Sequence, residues 1–212
     1  MSTPSQAARH ADRRGKAEAI LIAAARAFLA GGFGAVTMDA IAEEANVSKA
    51  TVYAHFGGKD ELFRAVIEHV RAIAEQRVGG FSVEALDPHD IVGSLTVIAT
   101  RYLDLVLSRE AIALNRIIIA EVGRFPVLGQ IFWSSGPERH RAQIESFIRR
   151  AAAAGSLAAP NPRLATEQFL ALARGDIHLR SLLGHEDPTT PTVRGTAVAS
   201  AVTAFLQVLG RC

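Results

Sequence analysis

Cysteine is all but missing from this chain. Among 212 residues the only one is Cys212, the last, so no internal disulfide and no paired-cysteine metal site can form. Aromatic residues are scarce at 6%, while alanine and leucine are abundant, a balance that favours helices. Neither sign of charge dominates: 23 Lys and Arg against 21 Asp and Glu give a net charge of +2, too weak a field to indicate nucleic acid by itself. The first residues are polar and charged, so no secretory leader is expected. The longest uncharged run, 195–210, is interrupted by Thr196, Ser200, Thr203 and Gln207 and reads as too short to span a bilayer. A cytoplasmic protein with no membrane partner is the expectation.

Catalytic signatures are missing as well. There is no His-Glu-x-x-His, no Gly-x-Ser-x-Gly around Ser134-Ser135, and Gly57-Gly58-Lys59 lacks the rest of a phosphate-binding loop. His89-Asp90, Glu138-Arg139-His140 and His185-Glu186-Asp187 have no recognised ligand spacing and read as helix ends. No enzyme activity, metal or cofactor is expected.

What is present is helical periodicity. Residues 49% hydrophobic over this length can fill one substantial core or two small ones. From Lys16 to Leu29, Ile20, Leu21, Ala24 and Phe28 share one face, and Gly31-Gly32 ends the pattern. Met38, Ile41, Ala42 and Ala45 then form a short apolar stripe that Thr37 can cap and Asp39 can favour at its positive end. Asn46 tolerates the left-handed conformation of a sharp turn, Val47 can plug the angle, and Ser48 can cap a second short helix. On that helix Val52 and Phe56 face inward, leaving Lys49, Thr51, Tyr53 and His55 with phosphate and base-edge chemistry. The region 36–56 thus has the form of a helix-turn-helix, whose bland alternative is a helical hairpin in a larger bundle. After Gly57-Gly58, Lys59-Asp60-Glu61 opens a helix carrying Leu62, Phe63, Val66, Ile67, Val70 and Ile73.

The stretches Phe33 to Ala42, Val47 to Phe56 and Lys59 to Phe63 together resemble the amino-terminal domain of the TetR family of bacterial transcriptional regulators, over about 13–73. The resemblance implies an all-α protein of about nine helices: a three-helix helix-turn-helix domain over 13–73, then a helical effector-binding and dimerisation domain over 74–212. It implies a homodimeric repressor that binds a palindromic double-stranded operator and is released by a small-molecule effector. By position it implies DNA contacts from Thr37, Lys49, Ala50, Thr51, Tyr53, His55 and Lys59. Gly57-Gly58 departs from the family, many members of which carry a polar residue before the lysine. The alternative function is a helical protein-interaction module without DNA binding. Residues 1–12, with Arg9 and neighbouring Arg13, Arg14 and Lys16 against the single Asp12, suit either a flexible arm reaching for phosphates or a plain tail.

Beyond residue 73 the expectations are coarser. Gly79-Gly80 to Asp87-Pro88 reads as a connection in which Asp87 caps the next helix. Helices follow over 91–107 and 108–122, then a long one from Val127, bent near Gly136-Pro137, and two more opened by Asn161-Pro162 and Thr190-Pro191. The last two are the expected dimer surface, with small Ala173, Gly175, Gly195, Ala197 and Ala201 beside Leu172, Leu179, Val198, Val202, Phe205 and Leu206. Polar or aromatic groups in otherwise apolar helices nominate Tyr102, Asn115, Glu121, Trp133, Phe169, Asp176 and His178 for an effector pocket, although each is individually compatible with a structural role. The segment 116–150 resembles the effector domain of one branch of the family.

Overall fold

Glycine, proline and side-chain caps set many of the helix limits. The computed structural model describes residues 6–77, 79–185 and 190–209, with side chains from residue 12 onward, and the only regular secondary structure among them is helix. In order these are α1 (Gln6–Ala35), α2 (Met38–Glu44), α3 (Lys49–Phe56), α4 (Lys59–Arg77), α5 (Ile91–Val106), α6 (Arg109–Glu121), α7 (Val127–Ser135), α8 (Pro137–Ala153), α9 (Pro162–Leu182) and α10 (Pro191–Leu209). The long bent helix expected from Val127 is two helices, because Gly136 leaves the helical conformation and Pro137 opens α8. Helix α1 begins at Gln6, inside the stretch expected as an arm; residues 1–5, Glu186-Asp187 and Cys212 lie outside the described residues. The cap of α5 is Asp90, which accepts the Gly93 N–H at 3.0 Å, not Asp87. Asp87 instead accepts the His89 N–H at 2.8 Å and folds the preceding turn.

The helices pack as two units, one comprising residues up to Val70 with Arg116–Ser135, the other Arg71–Asn115 with residues from Gly136 onward. This differs from the contiguous 13–73 and 74–212 of the sequence reading. The reason lies in α6 and α7: Phe125, between them, packs edge-on against Phe33 at 5.1 Å, and Leu128 and Ile131 are buried. In the first unit Ile20, Ala24 and Phe28 of α1, Ile41 of α2, Val52 of α3, and Leu62 and Phe63 of α4 are all buried. In the second, Leu95, Ile98 and Leu103 of α5 join Ile144, Phe147 and Ile148 of α8, Phe169 of α9 and Phe205 of α10 in one core. Each such side chain contributes roughly 1.5–3 kcal/mol by leaving water.

That core claims several residues expected at a dimer surface. Ala173, Val198, Ala201, Val202 and Phe205 are buried within the unit, because α9 and α10 turn their alanine and valine stripe toward α5 and toward each other. Over 162–209 the large apolar side chains left exposed are Leu172 and Leu179 from the expected set, with Leu164, Leu183 and Val208 besides. Two helices are more apolar than the short uncharged run at 195–210 suggests. Asp12–Ala35 and Pro191–Leu209, with mean hydropathies of 1.4 and 1.3, are both long and apolar enough by length and composition to cross a membrane. Helix α10 nevertheless directs Val198, Ala201, Val202 and Phe205 into protein core, and α1 does the same with Ile20, Ala24 and Phe28.

Two polar devices complete the second unit. The Arg150 guanidinium donates to the carbonyls of Val83, Glu84 and Leu86, closing the connection before α5 onto α8. Glu75 accepts from Arg71 at 2.6 Å and pairs with His140 at 3.0 Å, joining the last turns of α4 to α8. Burial alone would raise the Glu75 carboxyl, but hydrogen bonds from His140 and Arg71 outweigh it and hold it below its ordinary range. Burial lowers His140 more than Glu75 raises it.

Arg150→Ala removes three charge-assisted bonds to backbone and is expected to lower stability by about 2 kcal/mol in denaturant titration. Operator affinity at temperatures well below the transition should be unaffected. Glu75 and His140 are both depressed in the folded state, so the unfolded chain takes protons first and stability falls as pH drops below the ordinary histidine value of 6.5, then further through the carboxylate range. His140→Gln is expected to flatten the first part of that decline; an unchanged profile of melting temperature against pH removes His140 from this role.

Candidate nucleic-acid interface

The turn between α2 and α3 is built by Asn46, whose φ of 52° is the one left-handed non-glycine conformation among the described residues. Val47 N–H returns to the Ala42 carbonyl at 3.0 Å, locking the angle. Thr37 caps α2 by accepting the Ala40 N–H at 3.2 Å, and Ser48 caps α3 by accepting the Thr51 N–H at 3.1 Å. Val52 is wholly buried under α3, which fixes which side of that helix looks outward.

The outward side carries Lys49, Ala50, Tyr53 and Ala54, all exposed and spaced as one helical face. Ala54 was not singled out by the sequence, although its position four residues after Ala50 is the signal that finds it; a methyl there suits contact with a thymine methyl. Thr51 and His55 flank this face and are half-buried, and the Thr51 hydroxyl lies 2.8 Å from that of Ser48. Lys49 Nζ donates to the Asp39 carboxylate at 2.9 Å, with both side chains more than half exposed. Its hydrogen bond and charge interaction with Asp39 raise the Lys49 pKa, so the ammonium is fully charged at neutral pH. An ion pair this exposed contributes little, so Lys49 can exchange Asp39 for a phosphate or a guanine edge at little cost.

Lys59 is not gathered with the others. Its ammonium sits 4.5 Å from the Phe33 ring centroid and donates to the Gly34 carbonyl at 3.5 Å. Burial lowers its pKa, opposed by the charges of Glu121 and Asp60. Glu121 belongs to the same cluster: its carboxylate accepts the Gly34 N–H at 3.0 Å. Glycine stands on both sides of Phe33, and at Gly32 the backbone conformation calls for it. Gly32 has a φ of +75°, a Cβ there would lie 2.8 Å from Glu121 Oε1, and one on Gly34 would press on Glu121, Phe125 and Arg124 at 3.2–3.4 Å.

The residues nominated for an effector pocket therefore divide. Glu121 and Trp133 lie in the first unit, Trp133 on α7 with its ring half exposed. Tyr102, Asn115, Phe169, Asp176 and His178 lie in the second. Of these, Phe169 is fully buried and packs edge-on against Phe205 at 5.0 Å, Asn115 donates to the Ala111 carbonyl of its own helix at 2.8 Å, and Asp176 faces solvent. Tyr102 is buried, and His178 is half-buried, its pKa lowered by burial and by Arg174.

Two kinds of variant should separate these roles. Lys49→Ala or Thr51→Ala is expected to relax base preference at one position of each bound site, worth about 1–3 kcal/mol, in competition binding against single-base variants. Lys59→Ala should lower the melting temperature and leave base preference alone; a fall of about one in the slope of log affinity against log salt would return Lys59 to the phosphate contacts.

Residues 20–66 match the family described as bacterial regulatory proteins of the tetR family, and residues 93–211 match the C-terminal domain of AefR-like transcriptional repressors. The flavonoid-responsive regulator FrrA is 36% identical, with a TM-score of 0.79 over 93% of this chain and 98% of that one. A TetR-family transcriptional regulator from Mesorhizobium loti is 27% identical, with a TM-score of 0.76 over 98% and 100% of the two chains. An HTH-type transcriptional regulator of Mycobacterium bovis is 26% identical over 166 residues, 77% of this chain and 74% of that protein. The HTH-type transcriptional activator FasR of Mycolicibacterium smegmatis is 46% identical over 57 residues, 27% of this chain and 25% of that protein. An exposed polar recognition helix on a three-helix frame, with family matches at both ends of the chain, leads to one conclusion: this protein belongs to the TetR family of DNA-binding transcriptional regulators.

Proposed function

We propose that the chain is a homodimeric repressor that holds a palindromic operator and leaves it when a small molecule binds the second unit. The observation that carries this reading is the outward face of α3, where Lys49, Ala50, Tyr53 and Ala54 are exposed while Val52 anchors the helix from beneath. Lys49, Ala50 and Thr51 meet base edges in the major groove, and Thr37, Tyr53 and His55 fix register on the phosphates. The match of the C-terminal region to AefR-like repressors favours repression over the activation named for FasR. Such a regulator works in the cytoplasm, where its operator is.

Two recognition helices require two copies. On α10, Thr196, Ala199, Ser200, Thr203, Ala204 and Gln207 line an open, shallow surface of small side chains, which suits close approach of the same helix from a second copy. Exposed Leu172 and Leu179 on α9 and Val208 on α10 supply apolar area for the same contact. Helices α4 and α6 each contribute residues to both units, which gives an effector a route to the DNA-binding helices. Release requires the effector to bind the free and the DNA-bound arrangements with different affinity. FrrA is named for its response to flavonoids, and its likeness extends over nearly the whole chain, so planar polyphenols are the first effector class to screen.

The test is selection of duplexes from a randomised pool by the full-length protein, followed by binding of the winner across salt concentrations. A palindrome with two equal half-sites, bound more weakly as salt rises, is expected; enrichment of no sequence sinks the reading. Thr203→Arg should sediment as a monomer and lose most operator affinity. A dimeric Thr203→Arg protein would remove α10 from the interface while leaving the DNA contacts intact.

A further inference from the structure

We propose that Asp39 of α2 is a specificity-determining residue: by holding the Lys49 ammonium of α3, it admits the neutral edge of a base to that cation and discourages an anionic phosphate. This rests on the reading of Lys49 as a base contact and adds what keeps Lys49 on the base.

The charge balance of the motif is the first observation. Between Thr37 and Phe56 the carboxylates are Asp39, Glu43 and Glu44, all exposed, and Lys49 is the only Lys or Arg. A surface built to attract phosphates at large would carry the opposite excess. What the helix-turn-helix contributes by charge therefore depends on where this cation is directed, and Asp39 directs it. Lys49 Nζ lies 2.9 Å from Asp39 Oδ2, a contact from the first turn of α3 back to the first turn of α2. Asp39 also favours the positive end of α2, but that role asks nothing of Lys49. The two residues meet because Asn46 and Val47 set the angle between their helices, which the sequence around either one does not reveal.

The second observation is one of donor count and charge. A lysine ammonium has three N–H donors, so the bond to Asp39 leaves two for DNA. Guanine presents two acceptors in the major groove, O6 and N7, and neither carries a full charge. Such an edge takes the two free donors while Asp39 keeps the third. A phosphate instead brings a second full negative charge to the ammonium that Asp39 already holds, and the two anions repel. Breaking the pair first does not relieve this. The pair is cheap to break, but its carboxylate stays where α2 puts it, now unpaired and facing a polyanion. Thr37, a phosphate contact in the reading above, stands only two residues before it, at the cap of the same helix. Without Asp39, the long flexible stem of Lys49 is free to reach for phosphates beside the groove.

The experiment is competition binding of the full-length protein and its variants to the duplex recovered by selection, to single-base variants of that duplex, and to a random-sequence duplex of equal length, across salt concentrations. Asp39→Asn keeps the size of the side chain, suits a helix start and removes the charge. It is expected to tighten binding to the random duplex about three- to tenfold and to steepen the slope of log affinity against log salt by about one per subunit. It should also reduce, by about threefold or more, the base preference at the position that Lys49→Ala relaxes, with the melting temperature unchanged. In the Lys49→Ala background the same substitution should leave base preference as it was. Equal tightening of every duplex, an unchanged base preference, or a loss of preference that persists in the Lys49→Ala background overturns the inference and leaves Lys49 a base contact. If Lys49→Ala relaxes no position, the base-contact reading fails and the inference falls with it.

Discussion

The first unit is organised around the Phe33 ring, wedged between two glycines. Phe33 lies 5.7 Å from Phe28, 5.1 Å from Phe63 and 5.1 Å from Phe125, so α1, α4 and the α6–α7 turn meet on a single side chain. Aromatic pairs add roughly 0.5–1.5 kcal/mol each beyond their burial, and here one stacked and two edge-on pairs share a ring. The backbone on either side of that ring passes close to Glu121, and Gly32 holds a left-handed conformation that a side chain would strain. Thr37, the cap of α2, follows only a few residues later, so the entry to the helix-turn-helix is fixed by the same contacts that bind Glu121 and Lys59.

On the outward side the physics is opposite in character. The contacts of Lys49, Ser48 and Thr51 are short but solvated, and solvated contacts are cheap to exchange. A recognition helix needs a buried anchor and loosely committed polar groups. Val52 supplies the first, and the Lys49–Asp39 pair illustrates the second. The modest overall charge of +2 fits this arrangement, since affinity then depends on where the cations are placed and less on how many there are.

The second unit shows how composition misleads when read without depth. Helix α10 is apolar enough to be mistaken for a membrane span, yet it divides into a buried stripe through Val198, Ala201, Val202 and Phe205 and an open strip of small residues at Ala199, Ser200 and Thr203. Conversely, Arg150 looks like a surface charge in the sequence but serves inside the unit, on three backbone carbonyls.

Helix boundaries and the helix-turn-helix were legible in the sequence because they are set by local chemistry. Thr37 and Ser48 cap the helices that follow them, Asn46 tolerates the left-handed turn between those helices, and Val52 stands at the spacing that buries it. On the exposed face of α3 local spacing picks out Lys49 and Tyr53, but it passes over Ala54 and does not show that Thr51 and His55 are half-buried. What only tertiary structure decided involves partners far apart in the chain. Glu121 reads as a polar group in an apolar helix, and nothing nearby says that it will accept a hydrogen bond from Gly34, 87 residues away. Lys59 fits a family position for phosphate, but its ammonium is drawn to Phe33 by a ring that α1 supplies. Ala201 and Ala199 are the same residue two places apart, one in the core and one at the surface, and only the packing of α10 distinguishes them. Periodicity shows that a helix has two faces; which face is covered depends on neighbours that the local sequence does not encode.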